Sequence, residues 1–190
     1  MGILKTKGII ISENNMSDYD KMVTILTPNG KIGCAAKGSR RPKSGLMAAT
    51  QFLCFGEYMI YQGVSSYNLN SCEVIEVFYK IRTDIDKLNY AVHITKIIND
   101  VTDENQNTYK ILQLFLNTLY MISESEKSLD LIIAIFKIKL FGCLIIIIHS
   151  IHYFRQVRNN QYENNKKGCA TVTSPLPWHI LLIYKCRVSV

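Results

Sequence analysis

The sequence of 190 residues lacks the motifs that would indicate a common class of enzyme. None of the phosphate-binding, dinucleotide-binding, zinc-protease or serine-hydrolase patterns occurs, namely G-x-x-x-x-G-K-[ST], G-x-G-x-x-G, H-E-x-x-H and G-x-S-x-G. The acidic residues from Asp84 to Glu104 gather around predicted helix ends, where capping and solvation explain them. We therefore expect no catalytic residues and no enzymatic activity.

Close pairs of cysteines are also missing. The six cysteines stand at positions 34, 54, 72, 143, 169 and 186, so there is no C-x-x-C unit, and no secretory signal precedes them. His149 and His152 form one close pair of possible zinc ligands, and Cys143 and Cys169 are further candidates. A zinc site usually shows two close pairs of ligands. The sequence predicts reduced thiols in a cytoplasmic protein, with no metal and no cofactor.

No apolar run is long enough to cross a bilayer. The most apolar run, residues 140–148, ends at His149, and Lys137 and Lys139 interrupt it upstream. A membrane-spanning helix needs roughly 20 predominantly apolar residues. We expect no membrane partner, and an anchor through residues 140–154 stays open as a minor alternative.

Acidic residues are too few to balance the basic ones. Lysine and arginine number 22 against 15 aspartates and glutamates, which gives a net charge of +7 and a pI near 9.1. The excess lies in residues 1–61 and 144–190, while residues 62–143 are mildly acidic. This balance favours polyanionic partners.

The first 78 residues show the pattern of short strands. β-branched and alternating segments are separated by turn residues such as those of Pro28-Asn29-Gly30. The predicted strands cover residues 3–12, 20–27, 31–37, 50–62 and 68–78. Five strands without a helical period between them predict a small closed barrel.

The period then changes to that of helices. Thr83 and Asp86 approximate a capping box before a first helix, whose apolar residues recur from Ile85 to Ile98. Further helices are predicted over 108–122 and 129–141, the last with Ser128 as its N-cap and Gly142 as its end. The predicted fold is therefore α+β, with a barrel over 1–79, a helical domain over 80–142 and an atypical tail over 143–190.

The segment Lys37–Ser44, "KGSRRPKS", is the best candidate for a binding site. Guanidinium groups pair with phosphate oxygens in a bidentate manner, lysines add mobile charges, and Gly38 permits a close backbone approach. Lys5, Lys7 and Lys31 lie in neighbouring predicted strands and extend the positive surface. A solvated turn is the alternative, because charge runs are common on surfaces.

Single-strand binders add aromatic side chains on which bases stack. The available rings are Tyr19, Phe55, Tyr58, Tyr61 and Tyr67. Five short strands need bulky inward residues, so we expect one or two of these rings to stack and the others to be core.

The first 140 or so residues resemble the bacterial RecO family of recombination mediators. The resemblance rests on the order of four segments: "KTKGIIISENNMSDYDKMVTILTPNGK", "AAKGSRRPKS", "FLCFGEYMIYQG" and "LNSCEVIEVFYKIRTDIDKLNYAVHITKII". It implies an OB-fold and a helical domain, with DNA contacts at Lys37, Arg40, Arg41 and Lys43. It also implies single-strand binding, strand annealing and recombinase loading, with single- and double-stranded DNA, RecR and single-strand DNA-binding protein as partners near the nucleoid.

The sequence departs from the family after "FKIKLFG". Family members continue there with an aromatic residue, a proline and a C-x-x-C, which is half of a four-cysteine zinc site. Here Cys143 and Leu144 precede four isoleucines, and the tail is rich in lysine, asparagine, isoleucine and tyrosine. We hypothesise a frameshift or truncation near residue 143, with a tail that is not selected to fold and no zinc module.

A second interpretation assigns the same shape to protein recognition. In that case the basic segment receives an acidic peptide or an acidic partner protein, and the helices recruit it.

Overall fold

A computed structural model describes residues 2–63 and 66–145. Within this part the first half of the chain is a sheet of five strands. They are β1 (Gly2–Asn15), β2 (Lys21–Thr27), β3 (Gly30–Ala36), β4 (Phe55–Gln62) and β5 (Tyr67–Glu76).

Most of the helices follow the strands, but one short helix, α1, lies before β4. They are α1 (Leu46–Ala49), α2 (Tyr79–Arg82), α3 (Ile85–Val101), α4 (Tyr109–Glu124) and α5, which covers residues 129–145. None of the helices in the described residues is long and apolar enough to cross a membrane.

The five strands close into a barrel in the order β1-β2-β3-β5-β4. β1 is long enough to pair with two neighbours: its first half pairs with β4 and its second half with β2, with a bulge between Ile10 and Ser12. β3 and β5 close the ring through a short parallel contact. The predicted α+β fold, an OB-type barrel followed by helices, is confirmed.

The inside of the barrel is filled by one apolar cluster, which includes Ile10, Val23, Ile25, Ile60 and Leu69. Tyr58 also lies inside, where its hydroxyl donates to the carbonyl oxygens of Ala49 and Cys54, and burial raises its pKa. Burial likewise raises the pKa of the Cys34 thiol to about 12. This thiol therefore packs as a small apolar group.

The fourth strand begins later than predicted, at Phe55 instead of residue 50. The turn of α1 and the bend after it occupy the intervening residues, and Leu53 takes a positive φ of 62°. Leu53 donates its backbone N–H to Ile10, and Ile10 donates to Cys54. These contacts to β1 override the strand pattern of the local sequence.

Two helix ends also differ from the prediction. The N-cap of α3 is Asp84, whose carboxylate accepts from the backbone N–H groups of Asp86 and Lys87, whereas Thr83 donates to the preceding turn. α5 does not end at Gly142 but continues to residue 145, the last described residue. Gly142 lies in open space without a positive φ, so its backbone simply stays helical.

The barrel and the helices share a seam of buried hydrogen bonds. The Thr108 hydroxyl donates to the Thr27 carbonyl and accepts from the Gly30 N–H at 2.9 Å. Gly30 has a φ of +112°, and a Cβ there would lie 2.7 Å from the Asp103 carbonyl oxygen. Elsewhere the Arg82 guanidinium donates to Gln51 and to the Phe52 carbonyl. The compact unit accordingly extends to Ile145.

α5 has two apolar faces. Its inner face is buried, through Ile132, Ile133, Phe136 and Leu140. Its outer face exposes a second apolar series that recurs every three or four residues: Leu131, Ala134, Ile138, Phe141 and Ile145. We name this series the outer stripe of α5.

The predictions for the tail lie outside the described residues, apart from 143–145, which are helical. This applies to His149, His152 and Cys169, and to the hypothesis of a frameshift.

Candidate nucleic-acid interface

The basic loop, which we define as residues 37–45, connects β3 to α1. It consists of consecutive tight turns: Arg41 donates its N–H to the Gly38 carbonyl, and Ser44 donates to the Arg41 carbonyl. Gly38 and Lys43 take positive φ values of 65° and 68°. The loop is therefore a folded structure with a defined backbone path.

The loop packs on the β1–β2 turn, residues 16–20. Arg40 donates its backbone N–H to the Tyr19 carbonyl, and its guanidinium donates to the Ser17 carbonyl, both at 3.0 Å. Gly38 donates its N–H to the Asp20 carboxylate at 2.7 Å. Ser39 is buried between the exposed residues of the loop. Three hydrogen bonds thus hold the loop in place.

Asp20 is the electrostatic anchor of this contact. The hydrogen bond from Gly38 is the main cause that lowers its pKa, and a hydrogen bond from Ser17 and the charges of Lys37 and Arg41 act in the same direction. The carboxylate is therefore ionised at neutral pH and accepts a charge-assisted hydrogen bond from the loop backbone.

The cations of the loop face solvent. Lys37, Arg40, Arg41 and Lys43 are all exposed. None of them takes part in an ion pair within the described residues. The single guanidinium hydrogen bond of Arg40 leaves most of its five donors available. Four positive charges are thus presented on one anchored loop.

Tyr19 joins the cations to an aromatic surface. The Arg41 guanidinium carbon lies 5.4 Å from the centre of the Tyr19 ring, within the range of a cation–π contact. The ring remains 50% exposed.

The other candidate rings occupy different environments. Tyr58 is fully buried, whereas Phe55 and Tyr67 are half-buried. Tyr61 is 39% exposed on β4, where it pairs with Ile3 of β1. Tyr19 is thus the candidate ring that the structure brings to the basic loop.

Lys5 and Lys7 lie on another part of the barrel wall. Both are in the half of β1 that pairs with β4. The Lys5 ammonium contacts the Glu57 carboxylate at 2.7 Å, and this hydrogen bond is the main cause that raises the Lys5 pKa. The Glu57 carboxylate makes this wall less positive than the sequence suggested.

Lys31 is at the far end of β3 from the basic loop. Its ammonium donates to the Asn99 carbonyl at 2.8 Å, near the end of α3. Cations are stabilising at a helix C-terminus, because the last carbonyl groups carry partial negative charge. The structure therefore does not bring the Lys31 ammonium to the basic loop.

The described residues contain no group of three His, Cys, Asp or Glu side chains placed to hold a metal ion.

The sequence alone does not indicate that the β1–β2 turn supports the loop. The sequence feature that could have indicated this support is the acidic segment Asp18-Tyr19-Asp20, which by itself is typical of an ordinary turn between two strands. Its charge is complementary to that of the loop, but only the barrel brings residues 17–20 next to residues 38–41.

Two family models match this arrangement of a barrel followed by helices. The model described as "Recombination protein O N terminal" matches residues 1–78, and "Recombination protein O C terminal" matches residues 82–144. The chain belongs to the RecO family. The boundary between the two matches falls where the RecO barrel ends and its helices begin.

Curated relatives agree with this assignment. DNA repair protein RecO of Acetivibrio thermocellus is 48% identical over 145 residues, which are 76% of this chain and 58% of that protein. The RecO proteins of Alkaliphilus metalliredigens and Caldicellulosiruptor bescii are each 33% identical, over 73% and 74% of this chain and 56% and 57% of their own lengths. The chain thus spans a little over half the length of these RecO relatives and belongs to a family of DNA repair proteins.

Proposed function

We propose that this RecO chain binds DNA through the basic loop and acts, without catalysis, as the DNA-binding part of a recombination mediator. The observation that carries the proposal is the set of four exposed cations on a loop that the β1–β2 turn holds in place. Single-strand binding, strand annealing and recombinase loading with RecR and single-strand DNA-binding protein belong to the same proposal, in the bacterial cytoplasm.

The physical basis is the neutralisation of phosphates. Each lysine or arginine that meets a phosphate releases condensed counterions, so affinity falls as salt rises. Because the loop backbone is already fixed by Asp20 and Tyr19, less conformational entropy is lost when DNA binds. This mode of binding needs no base-specific contact.

The test uses two double variants. Arg40→Ala with Arg41→Ala removes both guanidinium groups, and Lys37→Ala with Lys43→Ala removes two ammonium groups that make no hydrogen bond within the described residues. Fluorescence anisotropy with single-stranded DNA across a salt series gives affinity and its salt dependence. We expect either pair to weaken binding and to flatten the slope of log K against log salt by about 1.4, since each lost contact removes about 0.7.

The control is Lys96→Ala with Lys137→Ala, two exposed lysines on α3 and α5, which changes the net charge equally. It should retain wild-type affinity and slope. Unchanged affinity in both loop variants would reject the site. If DNA does not bind the wild type while an acidic peptide does, the chain is instead an OB-fold module that recognises an acidic partner.

A further inference from the structure

The Tyr19 ring has a place in the proposed site that phosphate binding alone does not require. The ring is half exposed in the β1–β2 turn. Folding of the turn does not require this exposed ring. The Arg41 guanidinium lies over it. An exposed ring beside a phosphate-binding cation is the arrangement with which single-strand binders hold a base and its backbone together.

We propose that Tyr19 is the stacking platform for an unpaired base, and that it gives the basic loop a preference for single-stranded over double-stranded DNA. The inference rests on the proposed DNA binding by the same loop. Tyr19 contributes the aromatic contact, while Arg40 and Arg41 contribute the phosphate contacts.

The ring is held by the same contacts that anchor the loop. The Tyr19 carbonyl accepts from the Arg40 N–H, and the next residue, Asp20, accepts from the Gly38 N–H and from the Met16 N–H. The backbone on both sides of the ring is thus fixed relative to the loop. A base that stacks on a fixed ring loses less of its binding energy to ordering of the protein.

Selectivity follows from what each form of DNA exposes. Single and double strands both present phosphates, so the cations bind either form. The bases of a duplex are already stacked on each other, and a side chain reaches a base face only after unstacking, which costs a few kcal/mol. The platform therefore adds affinity for single strands only.

The remaining described candidate rings do not offer this combination. Tyr58 is buried, and Phe55 and Tyr67 are half-buried. Tyr61 is exposed on β4, whereas the contacts of the loop are to the β1–β2 turn. Among the described residues, Tyr19 is the ring over which an arginine is placed.

The experiment compares Tyr19→Ala, Tyr19→Phe and the control Tyr109→Ala, which removes a tyrosine of similar exposure from α4. Affinities are measured for an oligothymidine strand and for a duplex at one salt concentration. We expect Tyr19→Ala to weaken single-strand binding by about 5- to 150-fold, the range for the loss of one stacked base, and to change duplex binding by less than about twofold. Tyr19→Phe and Tyr109→Ala should bind like the wild type.

A second measurement reports stacking directly. A strand that carries 2-aminopurine should lose fluorescence when it binds the wild type or Tyr19→Phe, and less when it binds Tyr19→Ala. The slope of affinity against salt should be the same in all of these variants, because the phosphate contacts remain. A flattened slope in Tyr19→Ala would mean that the loop itself had moved, and would overturn the platform.

The two proposals fail in different ways. Tyr19→Ala could weaken single-strand and duplex binding equally, or weaken neither of them. If the double arginine variant still loses affinity in either case, the stacking platform is wrong and the DNA-binding loop stands. If the double arginine variant also retains full affinity and slope, the proposed function is wrong and the platform falls with it.

Discussion

The barrel and the helical region of this RecO chain differ in what their surfaces expose. Every strand of the barrel has a neighbour on both sides, and the basic loop is tied to the β1–β2 turn by Asp20 and Tyr19. α5 leaves its outer stripe exposed, with Ile138 at 73% and Phe141 at 67%.

The two regions differ in the kind of surface that they expose. A closed barrel leaves no open edge for another chain to pair with. An apolar series exposed along a helix is the kind of surface that often marks an interaction site. The family match to RecO ends at residue 144, within the helix that carries the stripe.

The sharpest test of this comparison uses two isoleucines of α5. Ile133, on the inner face, is 6% exposed, and Ile138, on the outer stripe, is 73% exposed. Ile133→Ala should lower the free energy of unfolding by about 2–5 kcal/mol, because it leaves a cavity. Ile138→Ala should change it by less than about 0.5 kcal/mol. Urea denaturation followed by circular dichroism measures both.

Equal losses in the two variants would show that the outer stripe is covered in solution. In that case Ile138→Ala should also change the sedimentation behaviour of the protein, whereas Ile133→Ala should not.

The seam between the two regions provides an intermediate effect. Thr108→Val removes the hydroxyl shared by the Thr27 carbonyl and the Gly30 N–H, and both groups are left buried without that partner. We expect a loss of about 1–3 kcal/mol in the free energy of unfolding. Thr118→Val is the matched control, since its hydroxyl donates only to the Leu114 carbonyl within α4. Its loss should stay below about 1 kcal/mol.

If the seam couples the barrel to the helices, Thr108→Val should also separate the thermal unfolding of the two regions. A single transition with an unchanged midpoint would contradict this role of Thr108.

The smallest effect concerns the anchor of the basic loop. The pKa of Asp20 is lowered in the folded state, so its stabilising contribution is complete above the ordinary aspartate pKa of about 4 and is lost as the pH falls through the lowered value. Asp20→Asn should therefore lower the melting temperature at pH 7, and the difference from the wild type should shrink on acidification below about pH 4.

Asp18→Asn, in the same turn, is the control for the loss of one charge, and its melting temperature should match the wild type at both pH values. If the difference in melting temperature between Asp20→Asn and the wild type stays constant across the acid range, the Asp20 carboxylate does not anchor the loop.

The strands and helices were predictable because their apolar periods are strong. Alternation in β2 and the recurrence from Ile111 to Ile122 in α4 indicate one buried face in each element. The boundaries that failed depend on distant residues. β4 begins late because Leu53 and Cys54 bond to Ile10, a contact that no local pattern contains.

The charges of the candidate site were predictable from the sequence, but the contacts that anchor the basic loop were not. Lysines and arginines in one short segment indicate a surface for anions wherever the segment lies. That the segment is anchored by Asp20 and Ser17, and that Lys31 is instead bonded to Asn99, depends on the closure of the barrel. Spacing along the chain cannot reveal either arrangement.

The double pairing of β1 also has a consequence for the order of folding. Its second half meets β2 across a short turn, so this hairpin can form while synthesis continues. Its first half must wait for β4, since Gly2 pairs with Gln62. Contacts between segments so distant in sequence form slowly. We therefore expect a nascent chain to carry half of β1 as an open edge until β4 has emerged from the ribosome, and an open edge is a template on which another chain can pair.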